Sequence, residues 1–221
     1  IVVSADRATQ IVQKLAAARD NQNVGLKAYE AHIYKLAILG TTVEQDSLNL
    51  NLDPMAYSER YSTIQHILKP ERYSESMLAH RASKNFFSEY DFFSTGGPPL
   101  NLNQELVPLS ILSEDITVIG PISDRAGRFY YLEEHEANGD WPDGTSEISL
   151  TPKINNRPLF KGKIWYNRAT STVIGIDVQL NDYASTNSGL FNISGLRYEQ
   201  NYLQVENYWL PKQTKLSARL K

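Results

Sequence analysis

Cysteine is absent from the 221-residue chain. That one absence removes disulfide staples, thiolate metal sites, thiol nucleophiles and thiolate-ligated iron–sulfur clusters together. A surplus of positive charge is missing as well: 22 basic residues face 25 acidic ones, for a formal net charge of −3. Nothing in that balance would hold a phosphate backbone, so no nucleic-acid partner is expected. Long apolar runs are lacking too. No uninterrupted stretch approaches the ~20 residues of a spanning helix, and the mean hydropathy is −0.41, so this segment is not expected to span a membrane. No charged stretch followed by an apolar core opens the chain, so no signal peptide is expected in it. The strand-like start Ile1-Val2-Val3 is read as belonging to a segment of a longer protein.

What is present is one helical pattern followed by many strand patterns. Ser4 is a candidate N-cap, and Ala8, Ile11, Val12, Leu15 and Ala16 recur at the spacing of one helical face. Arg7, Gln10, Gln13, Lys14 and Arg19 are placed on the polar side, and Asp20 to Asn23 with Gly25 are expected to end the helix. Strands are predicted over residues 27–39, 61–68, 73–82, 128–135, 145–151, 196–205 and 212–220, with tight connections at 69–72 and 140–144. The clearest hairpin runs from Phe160 to Leu180 around Asn167-Arg168-Ala169-Thr170. Phe160, Gly162, Ile164 and Tyr166 share one face of its first strand, and Ile174, Ile176, Val178 and Leu180 share one face of its second. Residues 85–120 break the pattern and read as a long aromatic-rich insertion in a single domain, 1–221.

Catalytic signals are weak. The four histidines, His32, His66, His80 and His135, form no His-Glu-x-x-His run. In Glu133-Glu134-His135-Glu136, a strand would turn Glu134 and Glu136 away from Glu133 and His135, which is poor geometry for chelation. No metal or cofactor is expected. His66 shares an apolar face with Ile64 and Leu68 and reads as a hydrogen-bonded core residue. Neither a nucleophile elbow nor a phosphate loop is present. Carboxylate pairs such as Glu133 with Glu147 are conceivable across strands, so a hydrolase using dispersed carboxylates stays open as an alternative.

The surface offers more. An apolar sheet face crossed by one helix leaves a groove, with Ile164, Tyr166, Ile174, Ile176 and Val178 on the sheet side. Either the helix fills it, or it stays open for an apolar ligand. In the second case Phe86, Phe87, Tyr90 and Phe93 form a gate; in the first they are plain core. Trp165 falls on the opposite face, as a cover over a second layer or as a partner contact.

The stretch Ile148-Ser149-Leu150-Thr151-Pro152, then Phe160-Lys161-Gly162-Lys163-Ile164-Trp165-Tyr166 and Val173-Ile174-Gly175-Ile176, resembles the outer-membrane lipoprotein carrier (LolA-like) superfamily. The chain is also similar to the middle domain of large uncharacterised Bacteroidetes outer-membrane proteins, which carry a carboxypeptidase-regulatory-like domain before it and a membrane β-barrel after it. Tyr29 to Lys35, Glu59-Arg60, Glu75 to Ser83, Gly120-Pro121-Ile122, Tyr130-Tyr131 and Trp209-Leu210-Pro211 carry that second likeness. The resemblance implies a mainly β fold with one long N-terminal helix (α+β), its curved antiparallel half-barrel wrapped around the helix as in LolA and LolB. It further implies a periplasmic place beside the outer membrane, an attached β-barrel, and no catalytic residues. A lipid or lipoprotein acyl chain in the groove is the expected ligand. A protein–protein interaction module is the alternative, using the sheet's wet face or an edge strand.

Overall fold

A computed structural model describes residues 5–42, 52–68, 70–85, 99–109, 116–181, 183, 186–188 and 191–220. The chain is mainly antiparallel β with few helices. Where one domain is expected from sequence, packing divides the chain into two compact units: Ile1–Gly25 with Pro99–Lys221, and Leu26–Pro98.

The first unit begins with α1, Ala5–Asn23. Ala8, Val12, Leu15 and Ala16 form its buried stripe, with Ile11 at the flank. Two details differ from expectation. Residues 20–23 stay helical, because no proline or glycine interrupts them before Gly25. Arg19, placed on the polar side from its spacing, is buried, and its guanidinium donates to the Ile122 carbonyl at 2.8 Å. Beyond the helix lie β4 (Leu106–Pro108), β5 (Thr117–Ile119) and the turn α2 (Ala126–Phe129). Arg128 and Phe129 were expected to open a strand. Instead hydrogen bonds from Ala126 N to Ser123 O and from Arg128 N to Arg125 O hold them in the helical turn.

Seven strands then follow: β6 (Tyr130–Glu136), β7 (Thr145–Pro152), β8 (Phe160–Asn167), β9 (Thr172–Leu180), β10 (Thr186–Ser188), β11 (Phe191–Val205) and β12 (Tyr208–Leu220). They pair antiparallel in the order β6-β7-β8-β9-β11-β12, with β10 beside the start of β11. Register places Glu134, Ile148, Ile164, Ile176, Gln200 and Thr214 in one row across six strands. Leu132, Leu150, Gly162, Val178, Tyr198 and Leu216 form the next. The apolar members of both rows pack with the buried stripe of α1 in one core. A Cβ on Gly162 would lie 2.1 Å from the Asp177 carbonyl oxygen, so only glycine permits this approach of β8 to β9.

The region around 85–120 is not a loop apart, as far as it is described. Leu102, Val107, Leu109 and Val118 are buried in the core of the first unit. Gln200 ties this segment down: its Oε1 accepts from Leu102 N at 2.7 Å, and its Nε2 donates to Leu100 O and Thr214 Oγ1, both at 2.6 Å.

The second unit is a three-stranded meander, β1 (Ala28–Thr42), β2 (Leu52–Leu68) and β3 (Glu71–Ala82), in that order. Its strands are longer than predicted, and the β2–β3 connection is shorter. The alternation of Tyr29, Ala31 and Ile33 with Glu30 and His32 holds along β1: the first set is half-buried and His32 and Glu30 are exposed. On the same face as the first set, β2 contributes the buried Ser58, Ser62, Ile64 and His66.

Candidate functional site

The groove residues named from sequence do not behave alike. Ile164, Tyr166, Ile176 and Val178 are 0–4% exposed and sit in the common core with α1 and Leu102, Leu109 and Ile122. Ile174 does not join them. Register shifts between Trp165 and Tyr166, which pair with Gly175 and Val173, so Ile174 is the extra residue of a β-bulge. Strict alternation therefore fails at this point, and Val173 takes the inward position expected for Ile174. The gate residues Phe86, Phe87, Tyr90 and Phe93 lie outside the described residues.

One end of this core is polar. Tyr166 donates to Glu134 Oε1 at 2.8 Å, Arg7 of α1 stands 3.3 Å from Glu134 Oε2, and Arg168 bonds Ser146. Burial, then the adjoining carboxylate, pushes the Tyr166 phenol up to about 12. Strand parity turns Glu134 away from Glu133 and His135, but nothing in the sequence names Tyr166 and Arg7 as its partners. On the other face of the sheet Glu147 is buried and paired with Lys163 at 2.9 Å. Asp177 and Arg197 form a two-pronged pair at 2.8 and 2.6 Å, and Lys215 meets Glu199 at 3.2 Å. Glu147 aligns with His135 rather than with Glu133, which faces Ser149. Among the described residues, the two buried carboxylates thus lie on opposite faces, each beside a cation. Among the described residues, no group of His, Asp and Glu could hold a metal ion.

Trp165 is covered by a second layer: Trp141, from the turn before β7, stacks on it with ring centroids 4.7 Å apart. Gly175 leaves room for this, since a Cβ there would come within 2.9 Å of the Trp141 ring.

The meander β1–β3 has two contrasting faces. The half-buried one carries a polar chain. Tyr29 OH bonds His66 Nδ1 at 3.1 Å, and Tyr73 OH and Lys35 Nζ donate to Glu75 Oε2 at 2.9 and 2.8 Å. His66 is thus a hydrogen-bonded, buried histidine, as its position among Ile64 and Leu68 predicts. Burial alone would push the Glu75 carboxyl up, but the Lys35 ammonium and Tyr73 hydroxyl hold it below the usual carboxylate range.

The opposite face is apolar and exposed. Tyr34 (59%), Leu36 (49%) and Ile38 (48%) follow one another along β1, and Tyr61 (42%) stands beside Tyr34 on β2. On this face Arg81 pairs with Glu59 at 2.6 Å and lies above the Tyr57 ring. In sequence this stripe is masked by Tyr29, Ala31 and Ile33, whose alternation with Glu30 and His32 marks the opposite face as the apolar one.

No curated protein and no solved structure matches the chain significantly. A family of unknown function, DUF5686, matches over residues 11–221, nearly the whole length. The chain belongs to that family.

Proposed function

We propose that the chain is a non-catalytic module of a cell-envelope protein and that it binds a protein partner through the exposed face of β1–β3. The observation that carries this reading is the contiguous run of Tyr34, Leu36, Ile38 and Tyr61. Large exposed apolar patches on folded chains mark interaction sites, and tyrosine with a flanking arginine is the composition of protein interfaces. Glu30, Glu59, Arg72 and Arg81 leave the face without the positive surplus that an anionic lipid surface would require. The periplasmic, barrel-associated setting and the LolA-like half-barrel come from the resemblance. An amphipathic helix packed on an unclosed antiparallel sheet supports that architecture. The test is a photo-crosslinking side chain placed at Tyr34, at Tyr61 or at Tyr131, exposed on a different sheet, in producing cells. A discrete protein adduct from the first two positions alone is expected. No adduct, or the same adducts from all three, overturns the reading.

One observation favours the second reading, an apolar ligand held between α1 and the sheet. The Tyr198 hydroxyl, beside Val178 in the core, is buried and has no hydrogen-bond partner. An orphaned hydroxyl of this kind costs about 1–3 kcal/mol, and a guest oxygen would satisfy it. Solvent extraction and mass spectrometry of the purified chain should then find a lipid that is lost in Tyr198→Phe. An empty protein in which Tyr198→Phe is neutral or stabilising removes the ligand.

A further inference from the structure

We propose that the free edge of β1 is a self-association surface, where two copies of the chain pair β1 against β1 in antiparallel register. The proposal rests on reading β1–β3 as an interaction face and names its partner as a second copy.

The first ground is an unguarded edge. Among the described residues β1 pairs only with β2, so the other side of this 15-residue strand offers its backbone N–H and C=O groups unpaired. Natural sheets guard such edges with proline, lysine, bulges or clustered charge. Three other edges among the described residues follow that rule. β12 carries Pro211, Lys212 and Lys215; β6 carries Glu133, His135 and Glu136; β3 carries Glu71, Arg72, Glu75 and Arg81, and is bulged opposite Tyr61 and Ser62. In β1 the segment Tyr34–Leu39 holds one charge, Lys35, and that charge turns to the half-buried face, where Glu75 neutralises it at 2.8 Å. No proline interrupts the strand, and its first bulge comes only between Leu39 and Gly40. An edge of this kind left bare is an aggregation template, so its apolar sequence is accounted for by a strand that covers it.

The second ground is self-complementarity. A two-fold axis through Leu36 sets Leu36 against its own copy, Tyr34 against Ile38, and His32 against Gly40. On the half-buried face it sets Lys35 against Ala37 and Ile33 against Leu39. No like charges face each other, and every exposed apolar residue meets another. Moving the axis to Lys35 opposes two lysines. Moving it to Tyr34 puts Glu30 against Ile38 and His32 against Leu36. Cross-strand pairs decide register, and of these three the Leu36-centred register is the one free of conflict. The paired copies would join two three-stranded sheets into one and make a single apolar stripe from both sets of Tyr34, Leu36, Ile38 and Tyr61.

The absence of cysteine makes the test direct. In Leu36→Cys the single thiol lies on the proposed axis, within disulfide reach of its copy. Ile38→Cys lies opposite Tyr34, so its thiol is remote from its own copy. Tyr131→Cys is exposed on a different sheet and serves as control. Under mild oxidation, Leu36→Cys should form a covalent dimer at least about tenfold faster than either of the others. Sedimentation of the unmodified chain at about 100 μM should give twice the 25.0 kDa monomer mass. Leu36→Lys should return it to monomer with an unchanged circular dichroism spectrum. A monomer at that concentration, or equal crosslinking at all three positions, overturns the proposal. A monomer that still gives a heterologous adduct at Tyr34 overturns self-pairing alone and leaves the wider reading of the face standing.

Discussion

At the residue scale, the placement of single side chains is set by events that alternation does not contain. Ile174 is the plainest case. Its type and its spacing from Ile176 and Val178 put it inward, yet one bulged residue hands that position to Val173. The exchange is measurable. Ile174→Thr should cost under about 1 kcal/mol in urea denaturation, as at a surface position. Val173→Ala should cost more, about 1–3 kcal/mol, because a filled core site is emptied. Equal costs would place the bulge elsewhere. Glu75 carries a second prediction, in pH. Its carboxyl sits below its ordinary value of 4.5 in the folded chain. The charge therefore stabilises the fold above that value, and the contribution disappears as pH falls through the lower folded value. Thermal melts of wild type and Glu75→Gln should be furthest apart at about pH 7 and should converge as the Glu75 carboxylate is protonated in acid. A gap independent of pH would show that packing, not charge, is what the glutamate supplies.

At the scale of elements, most strands and the helix are legible in the sequence, since each buries one face and its periodicity survives in the residues. β7 and the β8–β9 hairpin fall within one or two residues of where turn residues and alternation put them. The misses have physical causes. β2 starts at Leu52, well before the predicted Tyr61, because its sheet face is lined by Ser58, Arg60 and Ser62 rather than by apolar residues. The two-faced character of the meander was half-visible: His66 was read as a satisfied histidine, but Tyr29, Tyr73, Glu75 and Lys35 come from other strands and meet only through register. The burial of Arg19 is not legible in the sequence, because a long cationic side chain on a helix reads as solvated and its buried partner, the Ile122 carbonyl, lies 103 residues away. Arg19→Met keeps the length and loses the donor, and should destabilise the first unit by about 1.5–3 kcal/mol. Leu15→Ala, one turn before that arginine, should cost about 2–5 kcal/mol. If Arg19→Met is neutral, the guanidinium is not what fastens the end of α1.

At the scale of the whole molecule, buried phenols dominate the titration. Burial pushes Tyr130, Tyr198 and Tyr202 up, and Tyr166 rises to about 12 from an ordinary 10.0. Neutral phenols are favoured only in the folded chain, so their contribution is intact below the ordinary value and is lost as pH rises from about 10 through the folded values. Absorbance of tyrosinate at about pH 11 should show these phenols still protonated in native protein and ionised in urea, with Tm falling over the same interval. Coincident titration with and without urea would contradict their burial. The order of the chain has a last consequence, for synthesis. The helix α1 leaves the ribosome before the strands it packs on, which begin at Tyr130 and end at Leu220, after all of Leu26–Pro98 has been made. Its apolar stripe must wait, exposed, while the intervening meander forms from contacts between neighbouring strands. Chains that close such distant contacts fold slowly and expose apolar surface meanwhile. Nascent chains should therefore crosslink to holdase chaperones through α1, and transplanting Ala5–Asn23 to follow Leu220 by circular permutation should shorten that contact.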